Sequence, residues 1–326
     1  MNFSIILYSL MMIMSTLLVL SSKNWFSMWM GLEINLMSFI PLLSMMKNNK
    51  SSQAMVIYFL IQSISSVLLL FSIIMSKLFI EKTMIEIINL LMIISLMLKM
   101  GVAPLHFWLP EMMSKMGWKK CMILVTWQKL APLFILSKMN NNLIYISIIL
   151  SAIAGSIGGL NQTSLRKIMA YSSINHTGWM MAYMMVSPHW YKYWIFYTMM
   201  ILMLFYYFHM FNMYFINQIL IINLNVMEKY ILMLMMLSLG GMPPFLGFIP
   251  KLMVLMNLFN LKLMFIMLTL LMFSLITLFY YMRIISSILL LNYSTIKWNK
   301  TLYLNKNILI SVLSINLFTP LMYFIF

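Results

Sequence analysis

Long apolar runs, one after another with few polar residues between them, constrain this chain more than any other feature. Phe3 to Leu20 carries no charge, and runs of the same kind recur to the C-terminus. A bilayer core of ~30 Å accommodates about 20 apolar residues as a helix. Unpaired backbone groups are not tolerated in lipid, which leaves helices or closed barrels. These runs lack the two-residue alternation of barrel strands, so they predict helices. Composition closes the soluble alternative. Of 326 residues, 63% are hydrophobic and 8% charged, where a soluble domain carries roughly 25% charge.

The pattern predicts an all-α polytopic membrane protein, a single transmembrane domain over 1–326 with about eleven spans. They fall near 3–22, 25–46, 53–76, 84–114, 121–138, 143–160, 168–186, 190–215, 229–259, 262–283 and 307–326. The first run lacks a basic leader and a small-residue cleavage site, so it is read as a span and not as a removed signal. Two spans are broken, around 100–104 (Gly101-Val102-Ala103-Pro104) and 240–250 (Gly240-Gly241-Met242-Pro243-Pro244 through Pro250). Proline removes a backbone donor, and opened backbone at membrane depth must face protein or water. Interrupted helices in two halves of a chain point to an inverted-repeat transporter architecture.

The 21 Lys+Arg against 5 Asp+Glu give a net charge of +16. The bases stand singly between apolar runs, form no stripe and accompany no recognition motif, so no nucleic-acid partner is expected. Counting bases at the ends of spans puts 12 on one side and 6 on the other. The richer side is the cytoplasm-like one, and the N-terminus falls on it. The chain also has 19 Lys but 2 Arg, 22 Asn but no Asp, and 42 Met. That bias fits A/T-rich codons and a second codon read as Met, as in animal mitochondria. The richer side is then the matrix. Trp25, Trp29, Trp118 and Trp190 read as interface anchors.

Three bases, Lys99, Lys129 and Lys251, fall inside predicted spans, with Glu33 as the carboxylate at depth. Burying a charge in the bilayer costs at least ~2.5–3.5 kcal/mol, and a mid-span lysine is poorly placed to snorkel. Three lysines cannot all pair with one glutamate, and Glu33 is expected to meet Lys99 or water. A lysine out of water holds its proton less tightly, which points to proton or ion handling over structural pairing. Pro132, three residues after Lys129, loosens its helix. His106 and His176 are possible secondary relay residues. The single Cys121 excludes an internal disulfide and a cluster held by several thiolates. No metal or cofactor site is expected in this chain. Glu111 and Lys115 are spaced for an i,i+4 pair.

The segment Lys99 to Glu111 (KMGVAPLHFWLPE) resembles the first broken helix of the antiporter-like membrane subunits of respiratory complex I, and Gly240 to Lys251 resembles their second. Thr126 to Leu133 (TWQKLAPL) and Leu165 to Trp179 (LRKIMAYSSINHTGW) narrow the resemblance to the subunit 2 family of mitochondrial NADH dehydrogenase. Its animal members are shortened at the N-terminus to eleven spans, in keeping with the count above. Leu252 and Asn175 depart from that pattern.

The resemblance implies roles by position. Glu33 matches the carboxylate that pairs with the lysine of the first broken helix, and Lys99 matches that lysine. Lys129 matches the central lysine between half-channels, and Lys251 the ionisable residue of the second broken helix. The implied function is proton translocation through a hydrated axis, as a core membrane-arm subunit of NADH:ubiquinone oxidoreductase in the mitochondrial inner membrane. NADH, FMN, iron–sulfur clusters and ubiquinone would belong to other subunits. Partners would be other membrane-arm subunits, neighbouring antiporter-like subunits among them, and membrane lipids. The alternatives are a structural spacer of the arm that completes no proton transfer, and a cation/proton antiporter subunit.

Overall fold

The computed structural model describes residues 3–44, 48–79, 81–139, 141–221 and 225–290. The predicted span at 307–326 lies outside them. The described residues form helices: α1 (Phe3–Ser21), α2 (Trp25–Ser44), α3 (Asn49–Leu78), α4 (Lys82–Met100), α5 (Trp108–Lys115), α6 (Trp118–Leu136), α7 (Leu143–Leu160), α8 (Leu165–Val186), α9 (Trp190–Met210), α10 (Ile216–Ile221), α11 (Val226–Gly240), α12 (Phe248–Asn260) and α13 (Met264–Leu290). Seven of these, α1 to α4, α7, α9 and α13, are long and apolar enough to cross a membrane unaided.

The chain divides into two compact units, Met1–Ser147 and Ile148–Phe326. In the first, α1 packs on α2, α2 on α3 and α3 on α4, while α6 lies against α1, α2 and α4. In the second, α8 is the inner helix. Every residue from Ile168 to Met184 is buried except Tyr171, as expected of a helix packed on all sides. Around it, α12 packs on α8 and α9, and α11 on α9 and α13. Outward faces stay apolar, with Leu10, Met14 and Leu17 exposed on α1 and Phe265, Met272 and Phe279 on α13. Those faces suit contact with lipid tails.

Both breaks have one local construction. Each first half-helix ends on a glycine in the left-handed region, Gly101 at φ 68° and Gly241 at φ 75°. The amide after each glycine closes a Schellman turn, Val102 N–H to Met97 O at 3.1 Å and Met242 N–H to Leu237 O at 3.2 Å. The chain re-enters helix at Trp108 and at Phe248. The breaks therefore cover about 101–107 and 241–247. The second is shorter than the 240–250 expected, because Pro250 sits in the first turn of α12, where a missing N–H costs nothing.

Two expectations fail on burial. Trp118 is 1% and Trp190 7% exposed. Each is the first residue of its helix and turns inward to pack, so neither anchors at an interface. Trp29 remains part-exposed and donates from Nε1 to Ser66 O at 3.2 Å. The Glu111–Lys115 pair forms as expected, at 3.5 Å.

Candidate functional site

The glycine breaks decide where two of the buried lysines stand. Lys99 lies in the last turn of α4 and Lys251 in the first turn of α12. Both were expected within broken spans and next to the breaks, Lys99 before one and Lys251 after the other, and both stand there, beside helix ends where carbonyls and amides lack helical partners. Lys129 stays within α6. Relative exposures of 7%, 2% and 6% for Lys99, Lys129 and Lys251 show that none reaches an outer surface.

In the first unit, Lys99 and Lys129 line the same enclosed space, a cavity of ≈ 20 Å³. That is room for about one water molecule. Its polar lining is completed by Asn35 of α2, Tyr58 and Gln62 of α3 and Gln128 of α6. Tyr58 and Gln62 are four residues apart and so share a helix face. Gln62 Nε2 donates to the Lys99 carbonyl at 3.1 Å, supplying a partner to one of the carbonyls that the end of α4 strands. Tyr58 donates to Gln128 Oε1 at 3.3 Å, and Gln128 Nε2 donates to Asn35 Oδ1 at 3.1 Å. Tyr58, Gln128 and Asn35 thus form one hydrogen-bonded network in the lining that Lys99 and Lys129 share. Pro132 lies within α6 and lines the cavity too. Having no N–H, it leaves the Gln128 carbonyl without its usual helical donor, so a polar group is freed beside Lys129.

Of the two partners expected for Glu33, Lys99 or water, the lysine is not in contact with it; among the described residues the ion pair that closes is Lys115–Glu111. Glu33 Oε1 is buried without a hydrogen-bond partner, while its field reaches Lys99 and Tyr58. The carboxylate is thus an electrostatic neighbour of the lysine and not its contact partner.

In the second unit, Lys251 Nζ donates to Gly240 O at 2.7 Å, bridging the break from one half-helix to the other. It also lies 5.7 Å from the ring centroid of Trp179, within cation–π range. Gly241 makes room for it, since a Cβ there would sit 2.7 Å from Lys251 Cδ. His176 is 5% exposed and its Nδ1 is 2.9 Å from Tyr193 OH. His106 lies in the first break with Nδ1 3.2 Å from Pro104 O, and it does not line the cavity shared by the two lysines.

The neutral members of the first unit's network, Asn35, Tyr58, Gln62 and Gln128, carry no charge that would mark them within an apolar run. A second buried carboxylate, Glu228, 1% exposed, lies not within a span but in the first turn of α11. Glu228 Oε2 accepts from Asn225 N–H at 2.9 Å at the start of α11. Asn225-x-x-Glu228 ahead of an apolar run is a readable capping signature. No three His, Cys, Asp or Glu side chains come together as a metal site among the described residues.

Paired broken helices, each with a buried lysine at the break, define an antiporter-like transmembrane protein. The chain belongs to the NADH:quinone oxidoreductase/Mrp antiporter transmembrane family, which it matches over residues 22–277. Among its relatives is NADH-ubiquinone oxidoreductase chain 2 of Anopheles gambiae, 44% identical over 302 residues, or 90% of this chain and 88% of the relative. The fold is shared with a chain of respiratory complex I from Thermus thermophilus, at a TM-score of 0.84 and 17% identity over 99% of this chain and 78% of that one. A chain of the Mrp complex from Dietzia sp. has the same fold, at a TM-score of 0.77 and 15% identity over 86% of this chain and 60% of that one.

Proposed function

We propose that the chain is a core membrane-arm subunit of a proton-translocating NADH:ubiquinone oxidoreductase, multi-pass in the mitochondrial inner membrane with its N-terminus in the matrix. It is one antiporter-like transmembrane domain in which Glu33, Lys99, Lys129 and Lys251 exchange protons. NADH, FMN, iron–sulfur clusters and ubiquinone are bound by its partner subunits. The reading rests on one observation above the others. Lys99 and Lys129 line a single small polar cavity, held by a hydrogen-bonded frame of Tyr58, Gln128 and Asn35. A purely structural lysine pair would gain nothing from facing another cation across a space fit for water. Two amines sharing a water have a route for a proton.

Glu33 sets the direction of response. Its field reaches Lys99, and Coulomb coupling of this kind is strong where the surroundings are poorly polarisable. A change of charge near Glu33, driven by electron transfer in another subunit, alters the hold of Lys99 on its proton. Lys129 receives it through the shared cavity. Lys251 plays the equivalent part in the second unit.

Lys99→Met tests the role in the assembled complex reconstituted into vesicles. Proton-coupled quinone reduction should fall by about two orders of magnitude or more, the usual loss when a positioned proton-transfer group is removed. Normal coupled turnover with the complex intact overturns the reading. A structural-spacer reading has one observation in its favour, the Lys251–Gly240 hydrogen bond, which staples the break. On that reading Lys251→Met weakens assembly but leaves the pumping of each assembled complex unchanged.

A further inference from the structure

One polar group at the first break takes no part in the network described above. Trp108 opens α5, directly after the break, and lines the cavity shared by Lys99 and Lys129. The residue is 7% exposed, and its indole Nε1 is buried without a hydrogen-bond partner. Among the described residues that line the cavity, it is the buried side-chain group so left. A buried donor without an acceptor costs the desolvation of its N–H, about 1–3 kcal/mol.

The backbone of the break holds the indole in place. A Cβ on Gly101 would stand 3.3 Å from Trp108 Cε2, the ring carbon bonded to Nε1. The polar edge of the indole therefore lies against the glycine that ends α4, two residues beyond Lys99. The Trp108 ring is also 6.3 Å from that of Tyr58 between centroids, and the Tyr58 hydroxyl belongs to the frame that Gln128 and Asn35 complete. The second break shows that packing alone does not call for the N–H. When Gly101 is matched to Gly241, Trp108 falls on Phe248. Phe248 starts α12 as Trp108 starts α5, so a ring without a donor serves the same turn of the chain. The indole stands where two lysines share a cavity. The phenyl stands where one lysine bonds across its own break to Gly240 O.

We propose that Trp108 is a positioning residue for proton transfer between Lys99 and Lys129, its indole N–H donating to a water held in their cavity. The space of ≈ 20 Å³ has room for about one such molecule. Ammonium, amine and indole give it three partners, within the roughly two to four that a buried water makes. The indole donates and does not accept, so it neither gains nor loses a proton. It occupies one of the two lone pairs of the water oxygen. With both free, the water would accept from two ammoniums at once and pass nothing on. With one held, it accepts from a single ammonium and turns a hydrogen toward the other amine. In the transfer, an N–H bond of the Lys99 ammonium breaks and its proton joins the water oxygen. An O–H bond of the water breaks in turn, and that proton forms the new N–H bond of Lys129. Lys99 ends as the neutral amine, Lys129 as the ammonium, and the water is restored. A donor aimed at the oxygen opposes a standing hydronium, so the two protons move together. This inference rests on the proposed exchange between Lys99 and Lys129 and adds the group that orders it.

The test uses the complete complex in vesicles, with proton pumping and its solvent deuterium isotope effect as readouts. Trp108→Phe gives the first break the ring that the second already has and removes the donor. Pumping should slow about fivefold, the equivalent of one lost hydrogen bond to the transferring water, and the isotope effect should rise as proton transfer becomes limiting. Trp108→Gln fits the space worse than phenylalanine but restores a neutral N–H, so its isotope effect should return toward the wild-type value. A role in packing alone gives the opposite ranking, with Trp108→Gln the poorer pump and the isotope effect unchanged in both. That result overturns the inference. Lys99→Met separates it from the reading on which it rests. If Lys99→Met abolishes pumping while Trp108→Phe pumps normally, the indole has no part and the lysine exchange stands. If Lys99→Met pumps normally, both fall. If Trp108→Phe does not assemble, Trp108→Leu takes its place, since leucine and glutamine are close in size and differ in the donor. A higher isotope effect in Trp108→Leu than in Trp108→Gln then upholds the role of the indole, and equal values overturn it.

Discussion

A buried lysine in this protein is defined by what the backbone next to it lacks. Gly241 illustrates the point, because its positive φ ends α11 and its missing side chain admits the Lys251 stem. Gly241→Ala therefore meets two obstacles. A left-handed conformation costs a residue with a Cβ roughly 1–2 kcal/mol, and the new methyl group occupies the place of Lys251 Cδ. The expected outcome is a displaced Lys251 and pumping lowered as far as in Lys251→Met. Gly240→Ala is the control. Its new Cβ would meet nothing closer than Tyr281 at 3.6 Å, an ordinary contact, and pumping by the assembled complex should remain within a factor of about two. Equal behaviour of the two variants would show that the glycine conformation does not position the lysine. The lysines themselves were legible in the sequence because a charge inside an apolar run is costly and has to be accounted for. Tyr58, Gln62, Gln128 and Asn35 were not, because a neutral polar residue in a membrane helix is common. Only the network they form, unseen until the helices pack, distinguishes them.

At the scale of the element, the two breaks share one frame. Gly101 to Glu111 and Gly241 to Lys251 align without a gap, sharing the glycine, Pro104 with Pro244 and Pro110 with Pro250. The charge is placed differently on this common frame. Lys251 takes the position of Glu111, and Lys99 takes that of Leu239. The position of each break was legible because glycine and proline act on the chain locally. Its length was not, because a proline in the first turn of a helix and a proline beyond its end look alike in sequence. The start of α11 offers a further check. Glu228 holds the Asn225 amide at 2.9 Å and sits at a helix N-terminus, where a negative charge is favourable. Glu228→Ala removes the acceptor and opens a hole at a buried position. The loss of such a cap is worth about 1 kcal/mol, or roughly fivefold in the exchange of the amides it protects. Hydrogen exchange in the first turn of α11 should accelerate by that factor, with the middle of α8 unchanged as an internal reference. Unaltered protection in α11 would mean that the cap adds nothing to the helix.

At the scale of the whole molecule, the apolar runs predicted most helices to within a few residues. The polar α6 and α8 were found by their place between runs, since neither is apolar enough to be counted as a span unaided. Orientation is a different kind of prediction, because it depends on the 12-to-6 division of bases and not on any packing contact. The division makes opposite claims about Lys23 and Lys50. Lys23 follows α1, on the side poor in bases, and Lys50 opens α3, on the rich side; both are exposed. Between them lies α2, 20 residues long and so ~30 Å from end to end, the thickness of a hydrocarbon core. Cys121 is fully buried, so it stays silent toward a membrane-impermeant thiol reagent and a single new cysteine can be read without removing it. In mitochondria stripped of their outer membrane, Lys23→Cys should label at once, whereas Lys50→Cys should label only after the inner membrane is opened. The reverse order would place the N-terminus outside the matrix and invert every loop with it. Labelling of both from one face would mean that α2 does not cross, and with it the alternation on which the topology rests would fail.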